Sequence, residues 1–216
     1  MKRLIKYILL VAFVAAVSVS CDEDSTGDIS RVTHFPEFNI QGDNPYFIDM
    51  NSGVSSYEDP GVVVTEGEEE IDYQMQENVD VSSAGYYSVT YTATNKDGYS
   101  ASENRTVIVG TQDDLNATLS ATGKAESSLG FTFDVTIEKV GIGKFAISEI
   151  SGAFGSTING EVGILNQQVV TGSSAYGMYD SATLDLDNNQ LIIEWSYAYY
   201  GFDETTTIPI SYEVGA

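Results

Sequence analysis

Alternation of apolar and polar positions with period two runs through most of this chain. Tyr87, Val89, Tyr91 and Ala93 alternate with Ser88, Thr90, Thr92 and Thr94, so an apolar face opposes a hydroxylated one and a half-buried strand is predicted. Asn95-Lys96-Asp97-Gly98 is a turn by composition, and Ala101 to Val109 returns as the partner strand with Val107 and Val109 on one face. Further on, Phe131, Phe133, Val135 and Ile137 alternate with Thr132, Asp134, Thr136 and Glu138, which predicts one continuous half-buried strand. Gly141-Ile142-Gly143-Lys144 then turns the chain into Phe145-Ala146-Ile147. Leu184 and Leu186 lead into the turn Asp187-Asn188-Asn189, from which Leu191, Ile193 and Trp195 return on one face. Ile208, Ile210, Tyr212 and Val214 alternate with Pro209, Ser211 and Glu213, and Pro209 predicts that this last strand lies at an edge or begins there. No stretch carries a helical period over a useful length. The expected fold is all-β.

Shorter apolar runs fill the region before Tyr87: Phe35 to Ile40, Tyr46 to Met50, Val62 to Val64 and Ile71 to Met75. Glu66-Gly67-Glu68-Glu69-Glu70 between the last two is expected to be solvated. Gly110-Thr111-Gln112-Asp113-Asp114 is short and polar, and reads as a hinge. The expected organisation is a β-sandwich over residues 32–110 and a second antiparallel β domain, sandwich or barrel-like, over 115–216.

The N-terminus breaks this pattern. Lys2, Arg3 and Lys6 precede an almost uninterrupted apolar run from Ile8 to Val19, and Ser20 puts a small residue before Cys21, the chain's only cysteine. That is the layout of a lipoprotein export signal, residues 1–20, ending at a lipidation site. The apolar run falls short of the ~20 residues of a spanning helix. Ser18 stands where a lipobox usually has Leu. Residues 21–31 read as the lipidated cysteine and a polar tether. Removal of a signal with three bases and no acid takes the formal net charge from −23 to −26. Phosphate backbones are repelled by such a chain, so nucleic acid is not expected as a partner. With the single cysteine given to lipid, no internal disulfide is available, and stability must come from apolar cores.

Chemistry is sparse. His34 is the only histidine, which excludes multi-histidine metal sites. The acids Glu66, Glu68, Glu69, Glu70 and Asp72, and Asp113 with Asp114, are the candidates for calcium, but no D-x-D-x-D-G loop gathers the 6–8 oxygens it needs, so neither metal nor cofactor is expected. No nucleophile–base constellation is legible, and the chain is expected not to be an enzyme. The most suggestive residues are aromatic. Tyr176 and Tyr179 lie in Gly-rich, polar sequence, and Tyr197, Tyr199, Tyr200 and Phe202 cluster around Gly201. Flat rings with polar tips suit stacking on sugars, and equally suit capping a core. Tyr176, Tyr179, Tyr199, Tyr200 and Phe202 are the candidate glycan-binding residues, and Trp195, on the face of Leu191 and Ile193, is assigned to the core.

Two stretches carry a family resemblance. Tyr57-Glu58-Asp59-Pro60-Gly61-Val62, Gly85-Tyr86-Tyr87-Ser88-Val89-Thr90-Tyr91-Thr92-Ala93-Thr94-Asn95 and Arg105-Thr106-Val107 resemble the bacterial immunoglobulin-like module in its YxDPGV start, GxYxVTYTATDxxGN strand-turn and TRTVxV final strand. The resemblance covers about residues 32–109 and implies an Ig-like sandwich of the kind used as a spacer or adhesion module. Phe145 to Phe154, the Gly/Tyr-rich middle and Asp187 to Trp195 resemble the C-terminal β domain of Bacteroidota lipoproteins encoded beside polysaccharide-uptake systems. The resemblance implies an outer-membrane lipoprotein facing the cell exterior, with a polysaccharide or an outer-membrane transporter complex as partner. Asp22 to Asp24 resemble the export signal of such proteins.

Overall fold

The structure is a computed structural model that describes residues 32–152, 157–174, 179–197 and 202–214, with main chain alone at 179, 180, 197 and 202. Its first half holds β1 (Pro36–Ile40), β2 (Tyr46–Asp49), β3 (Val62–Glu66), β4 (Glu69–Glu70), β5 (Tyr73–Gln76), β6 (Gly85–Thr94) and β7 (Ser100–Gly110). They form two sheets, β1-β3-β4 and β2-β7-β6-β5, with β2 parallel to β7 and the β6–β7 hairpin in register from Gly85↔Val109 to Thr94↔Ser100. The alternation in β6 buries Val89, Tyr91 and Ala93, which join Ile48, Val62, Val64, Val107 and Val109 in one core. This is the Ig-like sandwich.

That core contains a cation. Arg105 on β7 is fully buried and pairs with Asp59, whose side chain is 4% exposed. Its Nε donates to Asp59 Oδ2 at 3.1 Å and to the Tyr91 hydroxyl at 3.0 Å, and its other nitrogens donate to the carbonyls of Gln41, Asp43 and Gly61. Asp59 also accepts from Tyr57, from Tyr91 and from the Gly61 amide at 2.6 Å. Every nitrogen of the guanidinium therefore has a partner inside the sandwich, which is what makes such a burial tolerable.

The second half has α1 (Gln112–Asn116) and ten strands: β8 (Thr118–Ala121), β9 (Ala125–Ser127), β10 (Thr132–Phe133), β11 (Ile137–Gly141), β12 (Lys144–Ile147), β13 (Gly160–Leu165), β14 (Gln168–Ser174), β15 (Tyr179–Asp185), β16 (Gln190–Tyr197) and β17 (Phe202–Glu213). They make two further antiparallel sheets. One runs β10-β9-β17-β16-β15 with β8 also on β17, and the other runs β11-β12-β13-β14. Leu119, Phe145, Ile147, Val162, Ile164, Leu191, Ile193, Trp195, Ile208 and Ile210 form the core between them.

Four sequence expectations change here. The continuous strand from Phe131 to Glu138 is two short strands in different sheets, β10 and β11; Val135, in the connection, stays buried while the chain crosses from one layer to the other. Pro209 lies neither at an edge nor at the start of its strand. It sits inside β17, opposite Gln190 of β16, and on β17's other flank the ladder is interrupted between β9, which ends its pairing at Thr207, and β8, which begins at Ile210. Pro209 O accepts from Thr122 N on that flank, so the missing N–H falls where no strand requires it. Glu66 is not solvated. Alternation from Val62 and Val64 turns it inward, where it takes the Lys96 amide at 3.0 Å and pairs with Lys96 Nζ at 3.3 Å. Glu68, Glu69 and Glu70 are exposed as expected.

The fourth change is the hinge, which is a pinned junction within the compact unit Phe35–Ala216. Asp114 of α1 is 1% exposed; its carboxylate accepts from the Thr111 amide and hydroxyl and, across the chain, from the Asn166 amide at 3.0 Å. Lys139 Nζ closes the other end of α1 on the carbonyls of Leu115 and Ala117. From the Ig-like side, the Tyr86 hydroxyl donates to Ile142 O at 2.8 Å, with Lys144 Nζ 5.0 Å from the centre of its ring. Gly163 lets the ring in: a Cβ there would lie 2.7 Å from Tyr86 Cε2.

Two outcomes test this account. Replacing Arg105 by Met should cost ~3–5 kcal/mol in urea unfolding, because Asp59 is left buried without its cation. Hydrogen bonds and the neighbouring cation hold the Asp59 carboxyl below its usual range in spite of burial. The stability it contributes is therefore complete above its unfolded value of ~3.9 and is lost as pH falls through the lower folded value; Asp59→Asn should remove that acid-side slope. For the junction, calorimetry of the unaltered protein should give one transition, and Tyr86→Ala with Asp114→Ala should split it into two, one for each core.

Candidate functional site

The core of the second half changes character along its length. Inward positions of β17 read Glu204, Thr206, Ile208, Ile210, polar at one end and apolar at the other. The apolar end adjoins the junction, where β8, the β11–β12 turn and the β13–β14 turn meet the Ig-like half. The polar end lies opposite. There Ser127 Oγ of β9 donates to Glu204 Oε1, the Thr206 hydroxyl donates to Ile150 O at 2.6 Å, and Trp195 Nε1 lies 3.5 Å from Thr206 Oγ1. Glu204 is 2% exposed, and its Oε2 finds no partner among the described residues. Burial raises its pKa; the Ser127 bond opposes the rise and the charge of Glu149 adds to it.

Glu149 organises the main chain at this end. Its Oε1 accepts from the amides of Ser151, Gly152 and Ile158, while Ile150 N donates to Ile158 O at 2.9 Å, so the segment leaving β12 is tied back at its base. Gly152 has φ +64°, and a Cβ there would stand 2.2 Å from Phe133 Cδ1. Only glycine satisfies both conditions.

The strand register brings part of the aromatic set to this end. Tyr179 of β15 lies opposite Trp195 of β16, Trp195 opposite Glu204 of β17, and Tyr197 opposite Phe202. Tyr179 and Phe202 are thus fixed in main-chain position at the polar end. Tyr176, Tyr199, Tyr200 and the lipidation candidate Cys21 lie outside the described residues. Trp195 is 2% exposed and belongs to the core. The candidate calcium acids do not converge: Asp72 and Asp113 are exposed, Asp114 is consumed by the Thr111 hydroxyl and backbone amides, and among the described residues no group of three or more His, Cys, Asp or Glu could hold a metal ion.

Four residues that matter were missed by pattern reading: Tyr86, Arg105, Asp114 and Glu204. For Glu204 the signal was present, since stepping back by two from Ile208 puts Thr206 and Glu204 on the inward face.

Comparison with known proteins agrees with the first half. Residues 38–109 match the family model described as bacterial surface protein, Ig-like domain. The Ig-like surface-protein fold is that of a non-enzymatic structural domain. Among solved structures, the chain is similar to the lipoprotein BT2262 from Bacteroides thetaiotaomicron, at 21% identity over 81% of this chain and 98% of that one, with a TM-score of 0.36. No curated protein matches.

The ionisation of Glu204 is testable. A carboxyl with a raised folded pKa is fully tolerated below its unfolded value of ~4.3 and destabilises the fold progressively as pH rises from there through the folded value. Glu204→Gln should therefore gain stability relative to the unaltered protein between pH 4.5 and 7.5, measured by urea unfolding at each pH.

Proposed function

We propose that this protein is a non-catalytic lipoprotein of the outer membrane, anchored through Cys21 and facing the cell exterior, which binds glycan as an accessory of a polysaccharide-uptake system. In this reading the Ig-like sandwich, residues 32–110, is the spacer and residues 115–216 are the recognition domain. The observation that carries it is the strand register, which brings the main-chain positions of Tyr179, Tyr197 and Phe202 to the polar end of the second core, opposite the junction. Aromatic residues at that end suit stacking on sugar faces, with carboxylates and hydroxyls in the same strands to receive sugar hydroxyls. The pinned junction supports the spacer role, because a stiff connection holds a recognition surface at a constant reach. Tyr176, Tyr199 and Tyr200 complete the proposed stacking set.

The second reading is a protein-interaction subunit that docks on an outer-membrane transporter complex and touches no sugar. The open strand edges of the Ig-like half support it: β5 ends its sheet with all four residues exposed.

A panel of plant, host and fungal polysaccharides, tested by affinity electrophoresis and calorimetry, separates the two. Glycan recognition predicts binding that Tyr200→Ala or Tyr176→Ala abolishes while the circular dichroism spectrum is kept. Silence across the whole panel would sink it in favour of the docking subunit.

A further inference from the structure

A cleft in the Ig-like half lies apart from the polar end of the second core. It has a volume of about 510 Å³ and runs between β2 and the segment 52–58, with Tyr46, Asp49, Ser55, Tyr57 and Glu58 in its wall. One side of it is the edge of a sheet. β2 is the terminal strand in the order β2-β7-β6-β5, and Met50 N donates to Gly110 O at 2.8 Å on the β7 side. Alternation along the strand then directs the amides and carbonyls of Tyr46, Ile48 and Met50 to β7, and those of Phe47 and Asp49 to the open edge. Asp49 O is taken by the amide and hydroxyl of Ser52. Phe47 N–H, Phe47 C=O and Asp49 N–H have no partner among the described residues.

Natural sheets blunt such an edge with lysine, an inward charge or a covering segment. Here the segment 52–58 stands off by the width of the cleft instead of covering the strand, and the wall has no Lys or Arg. Its charges are Asp49 and Glu58, both negative. The rings of Tyr46 and Tyr57, edge to face with centroids 5.8 Å apart, supply an aromatic wall against which a long aliphatic stem with a cationic head can lie.

We infer that this cleft accepts an extended, lysine- or arginine-bearing segment of a partner protein, which adds as a strand to the open edge of β2. Main-chain bonds to Phe47 and Asp49 hold it, and the carboxylates of Asp49 and Glu58 select its cations. A four-residue strand at ~3.4 Å per residue matches the length of β2. A second copy of this chain does not suit the cleft: with 32 acids against nine Lys and Arg and a formal net charge of −23, two copies repel.

The test uses the full chain in detergent and three synthetic octapeptides, read by fluorescence anisotropy at low and high salt. The first alternates Lys with Val, the second alternates Glu with Val, and the third is the Lys peptide N-methylated at alternate residues so that it cannot complete a ladder. The Lys peptide should bind, the Glu peptide should not, and N-methylation should weaken binding ~10-fold or more, as should Asp49→Asn with Glu58→Gln. Both replaced side chains are at least partly exposed, so the fold should survive; Phe47→Pro gives a second variant, since it deletes the outward N–H and leaves the β7 ladder alone. Binding that ignores N-methylation, binding unchanged by the paired substitution, or failure of the Lys peptide to bind overturns the inference.

Discussion

The buried guanidinium of Arg105 is the interaction on which the Ig-like half depends. It stands on β7 in one sheet, yet its bonds go to the chain between β1 and β2, through Gln41 and Asp43, and to the chain between β2 and β3, through Asp59 and Gly61. Those carbonyls turn toward the buried guanidinium, and its several donors let one side chain tie both segments to β7. Tyr91 on β6 completes the link by accepting from Arg105 and donating to Asp59. Burial pushes the Tyr91 hydroxyl up to about 12, so it remains a donor throughout the physiological range. Asp59 adjoins Glu58 in the wall of the β2 cleft, so one buried cation also sets the position of that surface.

The second half meets the opposite problem. Its two sheets share an apolar core, and each end must still be closed. At one end closure comes from the Ig-like half and the junction, with Tyr86 seated against Gly163 and Asp114 of α1 gripping the Asn166 amide. At the other it comes from polar side chains within the core and from Glu149 holding three backbone amides. A polar core end is less forgiving than an apolar one, since each unsatisfied atom there is expensive. Such an end fixes the geometry of whatever is displayed above it.

Much of this was legible in the sequence, for physical reasons that can be named. The hydroxylated face of β6 and the apolar sequence Leu191, Ile193, Trp195 declared themselves because a strand with one buried face must alternate. Pro209 misled because the rule concerns a missing hydrogen bond, and sequence does not reveal that the neighbouring ladder is interrupted at that position. Phe131 to Glu138 misled because the alternation survives when a chain passes from one sheet to the other. Arg105 and Asp114 are long-range features: their partners lie 46 and 52 residues away, beyond any local window. Of the aromatic candidates, only the register positions of Tyr179 and Phe202 enter the structure, because the ring positions of the set lie outside the described residues.

The placement of the buried acids explains how so negative a chain closes tight cores. Net charge of one sign opposes compaction through self-repulsion, so each acid taken out of water needs its own donors. Asp59 has a guanidinium, two phenols and an amide; Asp114 has a hydroxyl and two backbone amides; Glu66 has an ammonium and an amide. Glu204 breaks the series, with one hydroxyl for two oxygens. A carboxyl in that position is better accommodated carrying its proton, because the neutral form avoids both the desolvation of a charge and the repulsion of Glu149. Glu204, whose Oε2 finds no partner among the described residues, thus lies at the polar end of the second core, directly opposite Trp195 in the register that leads to the aromatic positions.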